Sequence, residues 1–321
     1  MKKPIILLVG AFSLGILAFA NQSLLQDNSV PQVESNVIAQ QATNDNVEPP
    51  AKQNKPVNEA VKEPVAEKEI KTDKNAEPKE QTPPVQPDTD QSYAQYDNTK
   101  HGWGFTRNDQ HQPPSVGWVG PVVTKYNGFY LGNTNEKTIY LTFDEGYENG
   151  YTKQILDVLK ANGVKAHFFI TAAYLKDQPE LVKRMIAEGH IVGNHSVNHP
   201  SLPEVSTEQV KQEIQGLESQ LNELINYDMY LFRPPRGEWS ERTLKITEDL
   251  GYKSVFWSMA YQDWLVDQQK GWQYAHNHVM SNIHNGAVIL LHAVSSDNAN
   301  ALDQIIKDLK SAGYTFGVIG R

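Results

Sequence analysis

The C-terminal two-thirds of this 321-residue chain predicts an α/β fold, a parallel sheet covered by helices and either closed as a barrel or left open and doubly wound. Three observations carry that expectation. Short apolar runs alternate with amphipathic stretches; several of those stretches close on glycine; and the unusual polar residues fall just after the apolar runs. In either architecture the carboxyl ends of the strands are where chemistry collects.

The apolar runs, in order, are Thr138 to Phe143, Ala166 to Ile170, His190 to Gly193, Met229 to Phe232, Ser254 to Trp257, Ala287 to Leu291 and Tyr314 to Ile319. Between them lie helical candidates: Tyr151 to Asn162, Pro179 to Glu188, Thr207 to Ile225, Ser240 to Leu250 and Asn298 to Ala312. Gly163, Gly189, Gly251 and Gly313 stand where a left-handed cap is expected. Ser206 with Gln209 reads as a capping box. The stretches Tyr93 to Val123 and Gln269 to Tyr274 suggest only packing over the ends of the sheet.

The N-terminal third reads differently. Met1 to Ala20 opens on Lys2-Lys3, continues as an apolar run from Ile5 to Phe19 and ends on Ala18-Phe19-Ala20, the pattern of a cleavable export signal or, failing cleavage, a membrane anchor. Residues 21–92 lack Phe, Trp, Tyr and Gly, hold 9 of the 18 prolines, and carry 7 Lys against 13 Asp plus Glu. Such a segment buries too little apolar surface to offset its ordering entropy, so it is expected to be a linker reaching roughly 40–50 Å. The expected organisation is therefore 1–20 signal or anchor, 21–92 linker and 93–321 folded domain, placed outside the cytoplasm at the wall or membrane.

Composition removes several classes of function. A net charge of -9 argues against nucleic-acid binding, which needs a basic face. With no cysteine, disulfides, thiol nucleophiles and a lipidated Cys anchor are excluded.

The strand ends carry Asp144-Glu145, His195 and His199, Arg233, Asp263 and Trp264, and His292. If His195 to His199 turns helically, both imidazoles reach one cation, and the acidic pair supplies a carboxylate ligand, leaving positions for water. Alone, H-x-x-x-H more often marks two loop histidines and Asp-Glu a solvated turn; their conjunction on one edge favours a hydrolytic site. One carboxylate of the pair would bind metal and the other accept a proton from water. His292 can protonate a leaving amine, with a satisfied core histidine as the competing role, and Asp263 can fix its tautomer.

These residues resemble the family 4 carbohydrate esterases, polysaccharide deacetylases with a NodB-type domain. Thr142-Phe143-Asp144-Glu145-Gly146 is similar to the family's TFDDG motif, His195 to Pro200 to its H-S/T-x-x-H-P motif, Arg233 to Gly237 to its third motif, Asp263-Trp264 to the end of its fourth, and Leu290-Leu291-His292 to its terminal L-x-H. The resemblance spans roughly Gly102 to Arg321 and implies a distorted (β/α) barrel of about seven strands. By resemblance Asp144 is the general base, Glu145, His195 and His199 hold a divalent metal such as Zn, Co or Mn, Arg233 and Asp263 orient base and acid, and His292 is the general acid. The metal and nearby backbone N–H groups would steady the oxyanion. Trp264 and Leu290 would line the acetyl pocket.

Gly102 to Phe105, His111 to Pro114, Phe129 to Thr134, Tyr147 to Tyr151 and Arg236 are similar to peptidoglycan N-acetylmuramic acid deacetylases, which makes Tyr147 and Arg236 substrate-binding candidates. The lactyl carboxylate of peptide-free muramic acid suits a guanidinium at Arg236. Two departures stand out: Glu145 replaces the usual Asp, and Ala260 stands where the fourth motif often opens with Asp. The implied partner is the peptidoglycan glycan strand. The alternatives are deacetylation of N-acetylglucosamine in peptidoglycan or chitin-like oligomers, O-acetyl ester hydrolysis, and a wall-binding module of little turnover whose aromatics, Trp239, Trp257, Trp264 and Trp272, stack on sugars.

Overall fold

Side chains alternate across a strand, so a buried parallel sheet needs apolar residues on both faces, and the seven runs supply them. The structure, a computed structural model, describes residues 90–108 and 110–321. The expected signal and the expected linker up to residue 89 lie outside the described residues. In chain order the elements are β1 (His101–Gly102), α1 (Val119–Lys125), β2 (Thr138–Glu145), α2 (Thr152–Ala161), β3 (His167–Ile170), α3 (Ala172–Asp177), α4 (Pro179–Ala187), β4 (Ile191–Asn194), α5 (Thr207–Ile225), β5 (Leu231–Phe232), β6 (Glu238–Trp239), α6 (Glu241–Asp249), β7 (Lys253–Ser254), α7 (Trp272–Asn282), β8 (Val288–His292), α8 (Ser296–Ser311) and β9 (Thr315–Phe316).

The seven predicted strands form one sheet in the order β7-β5-β4-β3-β2-β8, with β9 beside the start of β2. Every pair is parallel. The sheet curls into a half-barrel rather than lying open, and isolated bridges, Met259 to Ile289 and Phe129 to Val255, extend the pairing beyond the named strands. The small antiparallel β1–β6 ribbon has no counterpart in the expected elements.

Strand parity sorts the core into two layers. Ile139, Leu141 and Phe143 of β2, Phe168 and Ile170 of β3, Val192 of β4, Phe232 of β5, and Ile289 and Leu291 of β8 belong to the large cluster shared with the helices. The alternate residues, Tyr140, Phe169, Ile191, Leu231 and Val288, pack inside the curl. At about 25 cal/mol per Å² of apolar surface these buried layers supply the main favourable term. Gly193 belongs to the inner layer for a steric reason: a Cβ there would lie 2.6 Å from the Phe169 ring.

The helix ends follow their local chemistry. Gly163, Gly189, Gly251 and Gly313 all have positive φ, between 65° and 86°. Ser206 and Gln209 form the reciprocal capping box of α5. At the N-terminal edge of the described residues Asp90 pairs with Lys211 at 2.8 Å and Gln91 to Tyr93 form a 3₁₀ turn. Among the described residues no helix is long and apolar enough to cross a membrane.

Candidate active site

The inward parity that places Tyr140 inside the curl also places Thr142 and Asp144 there, at the carboxyl end of β2. Asp144 pairs in register with His292 at the end of β8, and the next inward positions after β4 and β5 are His195 and Arg233. The backbone holds that register past the strand ends, because His195 N donates to Ile170 O (2.9 Å) and Arg233 N to Asn194 O (2.9 Å). Four residues far apart in sequence thus converge on one mouth.

Arg233 is fully buried, and each arm of its guanidinium has a task. Nη1 donates to Asp144 Oδ1 at 2.6 Å, Nη2 to Thr142 Oγ1 at 2.9 Å, and Nε to Val255 O at 3.2 Å. The guanidinium lies over the Phe169 ring, 4.1 Å from its centroid. Burial works to raise the Asp144 carboxyl, but Arg233, with His195 and His292 behind it, more than offsets burial and holds the group below the usual carboxylate range. Asp144 is therefore ionised, one oxygen fixed by Arg233 and the other, Oδ2, 3.6 Å from His195 Nε2.

A second pair faces it. His292 Nδ1 donates to Asp263 Oδ1 at 2.7 Å, leaving Nε2 for the mouth. Asp263 Oδ2 accepts from the His292 backbone N–H (2.8 Å) and from Asn298 Nδ2 (2.5 Å). Burial pulls the imidazole's pKa down, yet Asp263 outweighs it and the net shift is upward, so the protonated form persists above the ordinary histidine value. Trp264 is part-exposed with its ring centroid 5.4 Å from that of His292, and Leu290 is the inward residue below it.

The His195 to His199 segment is not helical, contrary to expectation. Ser196 and His199 adopt left-handed φ values of 70° and 57°, and side chains stabilise the reversal. Asn194 Oδ1 accepts from Ser196 N, Ser196 Oγ from His199 N, and Glu213 from the backbone and side-chain nitrogens of Asn198. The rings nevertheless meet edge to face, 4.7 Å between centroids. His195 Nδ1 carries a hydrogen, because its partner is the Arg233 carbonyl at 2.8 Å. Burial, followed by the neighbouring imidazole, pushes His199 down to about 3, so it is neutral at pH 7.

Glu145 does not join them. As the residue after Asp144 on a strand it faces the helix layer, fully buried, and Thr152 Oγ1 of α2 lies 3.4 Å from both of its oxygens. Burial and the neighbouring Glu148 raise its carboxyl well above the ordinary value. Among the described residues no three His, Asp or Glu side chains surround one point closely enough to hold a metal ion. The expected triad of Glu145, His195 and His199 is therefore not assembled in the structure, where consecutive strand residues face opposite ways.

The remaining candidates lie around the mouth. Arg236 has φ 58° between Pro235 and Gly237, and its Nη1 is 3.9 Å from Glu238 Oε2; its charge acts on His199. Tyr147, just past β2, is 38% exposed. Ala260 contributes its carbonyl, which accepts from Arg107 Nη2. Of the proposed sugar platforms Trp239 is a core residue with no exposure. Thr142 and Asn298 are functional neighbours that the motifs did not single out; inward parity finds Thr142, whereas nothing local marks Asn298, whose backbone N–H is capped by Ser295 Oγ.

A curled parallel sheet whose mouth joins an Arg-held carboxylate to an Asp-held imidazole is the arrangement of an acid–base hydrolase. The comparisons with known proteins name the class. A family model for polysaccharide deacetylase matches residues 131–255. The peptidoglycan-N-acetylmuramic acid deacetylase PdaA of Bacillus subtilis is 51% identical over 221 residues, 68% of this chain and 84% of that protein. A peptidoglycan-N-acetylglucosamine deacetylase of Bacillus cereus is 36% identical over 60% of this chain and 71% of its own. The solved structure of Bacillus subtilis PdaA, a family 4 carbohydrate esterase, superposes with a TM-score of 0.67 at 50% identity, covering 68% of this chain and 95% of that one. The chain belongs to the polysaccharide deacetylase family and is a carbohydrate esterase family 4 hydrolase.

Proposed function

We propose that this protein removes N-acetyl groups from the amino sugars of peptidoglycan, with N-acetylmuramic acid preferred, after export by its N-terminal segment. The observation that supports catalysis most directly is the pair of completed couples at one mouth, Arg233 with Asp144 and Asp263 with His292.

Asp144 Oδ2, the oxygen not held by Arg233 Nη1, takes a proton from a water that attacks the acetyl carbonyl carbon. The tetrahedral adduct collapses as His292 Nε2 gives its proton to the amine nitrogen. The C–N bond breaks, acetate leaves, and Asp144 returns its proton to solvent. Arg233 keeps Asp144 ionised and fixed; Asp263 keeps the imidazole charged and turned. Trp264 and Leu290 would enclose the acetyl methyl. Members of the family are generally metalloenzymes, but the residues here do not form the expected three-ligand set, and the proton transfers are assigned to side chains alone.

Muramic acid preference is supported by the 51% identity to a muramic acid deacetylase against 36% to a glucosamine one, and by Arg236 at the rim. The lactyl carboxylate would pair with its guanidinium. Mass spectrometry of glycan strands treated with the enzyme, with and without stem peptides, tests the reading. Loss of acetyl from muramic residues of peptide-free strands is expected; loss from glucosamine residues alone would establish the alternative, and no loss from any strand would refute deacetylation.

A further inference from the structure

We propose that Glu145 is not a metal ligand in this protein but the buried acid that fastens α2 and α3 beneath the end of β2, so that a divalent ion entering the mouth meets the His195–His199 pair without it. The proposal deepens the deacetylase reading of the same site and can be tested without turnover. It stands first on strand geometry. Phe143 and Glu145 share the helix-facing side of β2, and Glu145 pairs in register with Ile170 of β3, itself part of the helix-side core. The Glu145 carbonyl also accepts from Thr171 N at 3.2 Å, which holds the backbone in this orientation. The carboxylate starts from the face opposite the imidazoles, and one additional methylene relative to Asp does not change the face.

The second argument is what surrounds it. Thr152, whose hydroxyl lies 3.4 Å from each Glu145 oxygen, is the first residue of α2. Next to it Glu148 accepts from Gly150 N (2.6 Å), Thr152 N (3.3 Å) and the hydroxyl of Tyr174 in α3 (3.2 Å). Glu145 thus lies in a polar seam that joins the end of β2 to two helices. Catalytic zinc sites ordinarily draw on three protein ligands; here the mouth supplies two imidazoles with Asp144, already held by Arg233, 3.6 Å from one of them, and among the described residues no three His, Asp or Glu are grouped so that they could hold a metal ion.

The test is calorimetric titration of the full chain with Co²⁺. Glu145→Gln keeps shape and removes the charge. The proposal expects equal Co²⁺ binding in wild type and Glu145→Gln, within about threefold; where neither titration gives a measurable affinity, a Co²⁺-soaked crystal decides. Loss of a true ligand would cost at least about tenfold, as even outer-shell changes do, and such a loss in Glu145→Gln with an unchanged circular dichroism spectrum would overturn it. Should that variant not fold, a Co²⁺-soaked crystal of the wild type decides. A Glu145 oxygen at about 2.0–2.2 Å from the ion refutes the proposal, and one beyond bonding distance supports it. Absence of acetate release would count against the deacetylase reading and leave this result intact.

Discussion

At His292 the decisive feature is a competition: burial favours the neutral imidazole, Asp263 favours the charged one, and Asp263 wins. A general acid must be protonated, so the alkaline limb of kcat/KM should fall above the ordinary histidine value of about 6.5. Replacing Asp263 with Asn should move that limb to lower pH and reduce kcat; a limb that stays in place would remove Asp263 from its role. Arg233 is the complementary test. With its side chain fully buried against Asp144, Arg233→Met leaves an unpaired buried carboxylate, expected to cost about 3–5 kcal/mol of stability by thermal unfolding and to move the acid limb upward. The nearness of Asp263 to His292 and of both to Asp144 was readable from their positions at strand ends, and that of Arg233 to Asp144 from the family resemblance. The placement of Glu145 was not, because adjacency in sequence suggests a working pair, whereas on a strand it separates the two side chains.

Elements were legible where local chemistry and period agreed. The strands and the five longer predicted helices occur in the expected order, and α5 has the same limits, Thr207 to Ile225. Removing its cap by Ser206→Ala should cost about 1 kcal/mol in denaturant unfolding. Gly193→Ala should be worse than a routine methyl addition, roughly 1–3 kcal/mol, since the new Cβ strikes the Phe169 ring that supports Arg233. The missed elements share a cause. In α1 and α3 fewer than two turns form, too few for a period to show, and α7 reads Trp-Gln-Tyr-Ala-His-Asn-His, a polar stretch with only Ala275 and Val279 buried. The His195 to His199 turn escaped prediction because it depends on Glu213, which arrives from α5.

Across the whole molecule the curled sheet also buries histidines that take no part in the chemistry. His167 Nδ1 donates to Leu141 O and its Nε2 accepts from Ile319 N, and burial holds it down to about 4; burial likewise takes His190 to about 4. Both are depressed below the unfolded value of 6.5, so their contribution to stability is intact above pH 6.5 and lost as pH falls toward 4, by up to about 1.4 kcal/mol per pH unit each. Glu145, whose carboxyl is raised by burial, acts in the opposite sense: its contribution is present below pH 4.5 and lost as pH rises. Thermal melts at pH 7 and pH 5 should show the loss, and His190→Gln should shrink it; an unchanged difference would mean that His190 titrates normally. One principle connects this scale to the site: the inward parity of a curled parallel sheet selects Asp144, His195, Arg233 and His292 and leaves Glu145 outside.

Acetate release from peptide-free glycan strands by Asp144→Asn and Glu145→Gln, compared side by side, tests that principle most directly. The account predicts that Asp144→Asn loses roughly 10²–10⁴ in kcat while Glu145→Gln stays within a few-fold of wild type; equal and severe losses in both, with both variants folded, would contradict it.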